Sequence, residues 1–160
     1  MPDFNNGELT EEHRKIMESH GGFKQENIGE HYDELSAHYE QVYLHAGYHD
    51  PLRCAEMAHE FLQGDKNAEI LDMGCGTGLV GQYLKEFGYE KVVGLDASQG
   101  MLEKAKEKSA YTELELLFLG QPDTFPAQHH NRYDAITASG ILAEGHLDNR
   151  VFDEMLMATK

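Results

Sequence analysis

The sequence predicts an α/β domain, a parallel sheet with helices on both faces. Three observations carry this. The chain has 160 residues and 40% hydrophobic content, enough for one domain with its own core. Short apolar segments near 69–73, 91–96, 114–119 and 133–139 recur about every 20 residues, between helical patterns near 78–87, 98–109 and 150–158. That is the rhythm of βα units, whose right-handed crossovers place helices on both faces. Third, the first apolar segment runs straight into a loop with glycine at alternate positions, and a helical pattern follows at once.

The elements follow in order. Thr10 is a candidate N-cap for a short polar helix to Ser19, which Gly21-Gly22 breaks. Residues 1–27 read as a loose N-terminal segment and residues 28–160 as the domain. Ile28 to about Leu44 is predicted helical, with Tyr32, Leu35, Tyr39, Val42 and Tyr43 on one face. Tyrosines there either pack with a polar tip at the surface or roof a ligand pocket. Asp50-Pro51 reads as N-cap and first helical residue. Leu52, Cys54, Ala55, Ala58, Phe61 and Leu62 continue that helix to near Gly64. After the glycine loop, Leu79, Val80, Tyr83, Leu84 and Phe87 recur at helical spacing, and Gly88 sits where a helix end needs φ > 0. The second strand ends in Asp96, and Ser98 is placed to cap the next helix. Lys104, Lys106, Glu107 and Lys108 read as its solvated face.

Composition narrows the partners. Thirteen Lys plus Arg against 29 Asp plus Glu leave a net charge of −16. That charge repels nucleic-acid phosphates, so the expected partner is a small molecule or a protein. No apolar run reaches the length of a membrane span, and the N-terminus lacks the basic and apolar regions of a signal peptide. Cys54 and Cys75 stand far apart in no metal-like spacing, which suits a reducing cytoplasm. The ten histidines scatter. His31, His38 and His45 fall every seven residues, near one helical stripe but too far apart to share a metal, so no metal site is expected.

The stretch Ile70-Leu71-Asp72-Met73-Gly74-Cys75-Gly76-Thr77-Gly78 admits several chemistries. A phosphate-gripping P-loop needs Gly-Lys-Ser/Thr, and Gly78 is followed by Leu79. A dinucleotide loop needs Gly-x-Gly-x-x-Gly, which Gly76, Gly78 and Gly81 satisfy. It leaves Asp72 and Gly74 without a purpose and puts a carboxylate near a pyrophosphate. An ordinary glycine turn is disfavoured by the entropy three alternating glycines lose on folding. Asp96, 18 residues beyond Gly78, can accept hydrogen bonds from both ribose hydroxyls of an adenosine in either nucleotide reading.

Asp72, Gly74, Gly76 and Gly78 together form Asp-x-Gly-x-Gly-x-Gly, which resembles the first motif of class I S-adenosylmethionine-dependent methyltransferases. That ligand carries a sulfonium and an ammonium and no phosphate, so an acid beside the loop is favourable. Asp96-Ala97-Ser98-Gln99-Gly100-Met101-Leu102 resembles the Asp-x-Ser-x-x-Met-Leu pattern of the same enzymes. The resemblance sets Met101 against the adenine face, with plain core packing the other reading. Many members carry Gly-Asp-Ala where this chain has Gly120-Gln121-Pro122, so Gln121, or Asp123, would accept from the adenine amino group. Tyr32 through Tyr39 resembles a Tyr-Asp-x-x-Ala-x-x-Tyr signature, with the alanine one position late unless Ser36 stands in for it. Ser139-Gly140, after the Tyr133-Asp134 pair, would border the methyl donor. Residues from about 30 to 160 are covered, and the stretches 70–79, 87–88 and 139–146 resemble the methyltransferase-like protein 27 group most.

The resemblance implies a Rossmann-like methyltransferase fold with S-adenosyl-L-methionine as cofactor. Its expected cofactor residues are Asp72, Gly74, Cys75, Gly76, Gly78, Asp96, Ala97, Met101, Gly120, Gln121, Ser139 and Tyr39. No residue stands out as catalytic; His146, Glu144 and Tyr39 are the candidates for a base. A non-catalytic S-adenosylmethionine-binding or interaction protein is the alternative, and an NAD-dependent oxidoreductase comes third. The family strand order, 3-2-1-4-5-7-6, makes the fourth strand an edge if the domain is C-terminally incomplete at Lys160. Ala135-Ile136-Thr137-Ala138 carries no charge to protect such an edge, which predicts self-association through it.

Overall fold

A computed structural model describes residues 11, 14–15, 27–36, 40, 47, 49–142 and 146–160. Most of the expected helix over residues 10–19, most of the continuation from Leu35 to Leu44, Tyr39 and Glu144 lie outside the described residues; residues 11, 14 and 15 are helical. In chain order the elements are α1 (Ile28–Leu35), α2 (Asp50–Phe61), β1 (Ile70–Met73), α3 (Leu79–Glu86), β2 (Val92–Asp96), α4 (Gln99–Glu107), β3 (Glu113–Leu116), β4 (Ala135–Thr137) and α5 (Val151–Ala158). Two 3₁₀ turns, Pro122–Thr124 and Ala127–His129, lie between β3 and β4.

The four strands form one parallel sheet in the order β3-β2-β1-β4. β1 is central and fully buried, as a continuous apolar run in a parallel sheet must be. Alternate residues serve opposite faces. Ile70 and Val92 pack with Ala55, Ala58, Val80 and Leu84 of α2 and α3 on one side. Leu71, Met73, Val93 and Leu95 pack with Phe125, Tyr133, Ile141, Val151 and Ala158 on the other. The α/β fold with helices on both faces is therefore as expected.

Boundaries differ in three places. β3 ends at Leu116 because its partner β2 ends at Asp96; the Leu117 amide makes a last bond to the Asp96 carbonyl at 2.9 Å, and Leu117–Leu119 then leave the ladder. β4 is confined to Ala135–Thr137, the residues that face Ile70–Asp72 of β1. Asp50 is not a cap but the first residue of α2, with His49 at the cap position and no side-chain cap bond. Two end signals hold. Gly88 has φ +90° after α3, and the Ser98 hydroxyl accepts from the Met101 amide at 3.1 Å to cap α4.

β4 lies at the edge of the sheet, but its approach is not bare. Tyr133 pairs in parallel with Thr159, and the Lys160 amide donates to the Tyr133 carbonyl at 3.0 Å. Among the described residues, no helix is long and apolar enough to cross a membrane.

Candidate active site

The carboxyl ends of β1, β2 and β4 and the chain beyond β3 surround a cavity of about 1000 Å³. This is where ligands bind in open α/β sheets, and the size is at the upper end of ligand pockets, roughly 300–1000 Å³. Of the expected residues, Gly74, Gly76, Asp96, Ala97, Met101, Gly120, Gln121 and Ser139 line it. Asp72, Cys75 and Gly78 do not.

The loop after β1 is held by its own backbone. The Gly74 and Cys75 amides both donate to the Leu95 carbonyl, at 2.8 and 2.9 Å, which fastens the turn to the end of β2. Gly74 has φ +70°, and a Cβ there would sit 2.3 Å from Ile141 Cγ2, so only glycine fits. The Gly76 amide donates to Asp96 Oδ2 at 2.8 Å and the Ser98 amide to Asp96 Oδ1 at 2.9 Å. Each carboxylate oxygen keeps lone-pair capacity toward the cavity. Burial pushes the Asp96 carboxyl above its ordinary range against the pull of these backbone bonds.

Asp72 sits beneath the loop and is 1% exposed. Tyr111 Oη donates to Asp72 Oδ2 at 2.7 Å and Thr137 Oγ1 donates to Asp72 Oδ1 at 2.8 Å. Burial raises its carboxyl to about 6, although both hydroxyls pull it down, and the charge of Asp96 adds to the rise. A buried carboxylate and a half-buried one therefore lie near the ends of adjacent strands. Such a pair attracts a cation and repels an anion.

Tyr111 was not singled out in the sequence, because a tyrosine ahead of a strand reads as packing. Its hydroxyl also accepts from the Gly81 amide at 3.1 Å, and a Cβ on Gly81 would lie 2.3 Å from the Tyr111 ring. Gly81 thus makes room for the tyrosine that holds Asp72. This accounts for the third glycine of the dinucleotide-like pattern without a dinucleotide.

Lys108 is a second omission. The sequence puts it on a solvated face, yet its Nζ donates to the Thr77 carbonyl at 2.8 Å and pairs with Glu40. Asp33 is a third. Its Oδ1 accepts from Ser98 Oγ at 2.6 Å and from the Gly100 amide at 2.7 Å, tying α1 to the start of α4. An acid accepting at a helix N-terminus is favourable; Asp33 is the acid of the Tyr-Asp signature, but a partner 67 residues away gave it no local role.

Ile28 and Tyr32 of α1 and His146, Leu147 and Arg150 ahead of α5 line the cavity as well. Tyr32 Oη lies 2.5 Å from His146 Nε2, with the rings edge to face, so two distant segments meet over it. Met101 is 1% exposed, packs in the core as one reading expects, and also lines the cavity. Leu117–Leu119 supply an apolar wall.

Comparison with known proteins agrees with this geometry. Residues 70–160 match the methyltransferase domain family. The chain is 30% identical over 150 residues to methyltransferase-like protein 27 of Homo sapiens, covering 93% of this chain and 60% of that protein. It is 41% identical over 68 residues to the 18S rRNA (guanine-N(7))-methyltransferase of Bos taurus, covering 39% and 24% respectively. The chain thus spans less than two thirds of the length of these curated relatives. Its fold is similar to that of a TehB-like S-adenosylmethionine-dependent methyltransferase from Corynebacterium glutamicum, with a TM-score of 0.56, 21% identity, and coverage of 80% of this chain and 67% of that one.

Proposed function

From the premise that the chain belongs to the methyltransferase domain family, we propose that it binds S-adenosylmethionine in this cavity and directs methyl transfer to a small molecule or a protein. The observation that carries the reading is the pair of carboxylates, buried Asp72 and half-buried Asp96, around a loop whose glycines line the cavity. They suit a cationic nucleoside and oppose a pyrophosphate.

When bound, the cofactor supplies an electrophilic methyl group on a positively charged sulfur. Asp96 accepts from the ribose hydroxyls while Gly76 and Ser98 hold its oxygens in place. Gly74 and Gly76 let the ligand approach the backbone, and Asp72 biases the loop toward positive charge. Met101 and Leu117–Leu119 flank the base. Ser139 borders the methionine end. Tyr32 and His146 meet at the cavity wall, and water displaced from that wall by a ligand would strengthen the charge interactions there. For His146 to hold a proton released by the acceptor, the contact between its Nε2 and Tyr32 Oη would have to yield that nitrogen's lone pair.

The net charge of −16 favours an acceptor that is neutral or cationic over nucleic acid. Cys54 and Cys75 are free thiols, in keeping with a cytoplasmic setting. Self-association would use the β4 edge or the open face of α5, where Phe152 and Leu156 are 47% and 75% exposed. The test is incubation with methyl-tritiated S-adenosylmethionine and cell extract split into small-molecule and protein fractions. Label in either fraction, lost in Asp96→Ala, supports the proposal. Binding of the cofactor with no transfer to any fraction makes the chain a binding protein instead.

A further inference from the structure

The seat of α1 on the turn between β2 and α4 is built for close approach. Gly29 is buried, and a Cβ there would sit 2.6 Å from the Ala97 carbonyl oxygen. At the other end of α1, a Cβ on Gly100 would sit 2.8 Å from Ser36 Oγ and 3.2 Å from Asp33 Oδ1. A glycine on each partner thus lets the helix lie directly on the turn. Asp33 fastens it there, since its Oδ1 accepts from Ser98 Oγ at 2.6 Å and from the Gly100 amide at 2.7 Å. Bonds to a carboxylate of this kind are the stronger sort. Beyond α1, Glu40 pairs with Lys108 just past the far end of α4. Tyr32 reaches the opposite side, where its Oη lies 2.5 Å from His146 Nε2 ahead of α5. The helix therefore bridges the crevice between the β2 and β4 sides of the sheet, with Ile28 and Tyr32 in the cavity wall.

We infer that Asp33 is a positioning residue that hinges α1 on the α4 side, and that α1 is a lid whose free edge, the Tyr32–His146 contact, parts to admit and release ligand. The inference rests on the cofactor reading of the cavity given above. The two sides differ in kind. On the α4 side a carboxylate, a backbone amide and two interlocked glycines fix the helix. On the other side two side-chain tips meet. A ligand that enters by this edge binds only the open form, so its apparent entry rate scales with the open fraction. Gly29 and Asp33 do not line the cavity. Any effect of theirs on ligand rates must pass through the position of α1.

The test measures association and dissociation rates of S-adenosylhomocysteine by surface plasmon resonance. The chains are the wild type, Tyr32→Phe, Asp33→Ala, Asp33→Asn and Gly29→Ala, each with a melting curve. Tyr32→Phe keeps the ring and removes the hydroxyl contact; it is expected to raise both rates by about fivefold (about 1 kcal/mol), the worth of one hydrogen bond. A hydroxyl that bound the ligand directly would instead raise dissociation alone. Asp33→Ala is expected to raise association by about tenfold and dissociation by more, because the bound ligand also loses the Ile28 and Tyr32 wall. Asp33→Asn keeps an accepting oxygen and is expected to fall between. Gly29→Ala wedges the helix off Ala97 and is expected to raise both rates without touching a hydrogen bond. If Asp33 only held the fold together, its variants would melt earlier and association would not quicken. Association rates unchanged in Tyr32→Phe or in both hinge variants overturn the inference while leaving the cofactor reading intact. A wild-type chain that binds no S-adenosylhomocysteine overturns both.

Discussion

Replacing Asp72 with asparagine should stabilise the ligand-free chain at neutral pH. The carboxyl is 1% exposed and its two bonds come from neutral hydroxyls, those of Tyr111 and Thr137. Burial lifts it from 3.8 to about 6. A folded value above the unfolded one means that the fold favours the protonated acid. The associated stability is complete below about pH 4 and is lost as pH rises through about 6. Roughly two pH units at 1.36 kcal/mol each amount to about 3 kcal/mol. Asparagine removes that burden but turns one accepting oxygen into a donor, at a cost of about 1 kcal/mol. The amide should therefore win by about 2 kcal/mol above pH 6.5 and lose by about 1 kcal/mol below pH 4. Urea unfolding of both chains from pH 4 to 8 measures the difference directly, and subtraction removes the titration of groups common to both. The same change should weaken S-adenosylhomocysteine about tenfold (about 1.4 kcal/mol), since the amide no longer attracts its ammonium. A stability difference flat with pH, or an asparagine variant less stable at pH 7, would refute the reasoning.

Asp96→Ala should lose about 1.5–3 kcal/mol of S-adenosylhomocysteine affinity, the range for hydrogen bonds to a charged group; an unchanged dissociation constant in calorimetry would remove Asp96 from the ribose site. Gly81→Ala pushes a methyl against the Tyr111 ring and should cost about 1–3 kcal/mol in urea unfolding, whereas a neutral result would mean that Tyr111 moves freely. Leu156→Lys, at a residue 75% exposed, should leave the fold intact and reduce self-association in sedimentation velocity. If wild type and variant sediment alike as monomers, the exposed face of α5 is not a contact surface.

The layout of the sheet was legible because its signals are local. A buried strand, a glycine loop and a helix cap each lie within a few residues of one another, as at Ile70–Leu79 and at Ser98. Strand ends were less legible. β3 and β4 stop where their partners stop, and a partner's length is not visible in a strand's own residues. The cavity divided along the same line. Gly74, Gly76, Asp96 and Met101 belong to contiguous motifs and were found. Lys108 and Tyr111 act on residues 31 and 39 positions away in sequence. Each reads as an ordinary polar or aromatic residue until the fold brings it to its partner. Lys108 shows this most plainly, since three neighbouring charges on α4 made it look like one more solvated side chain. Gly81 shows the converse, a glycine whose spacing suggested one ligand while its contact is with Tyr111.

The central claim is that this cavity takes a cationic nucleoside and not a dinucleotide. Calorimetric titration of the wild-type chain with S-adenosylhomocysteine and with NAD, under identical buffer and salt, tests it most directly. The account predicts saturable one-to-one binding of S-adenosylhomocysteine and no measurable heat with NAD. NAD binding as tight as or tighter than S-adenosylhomocysteine would contradict it.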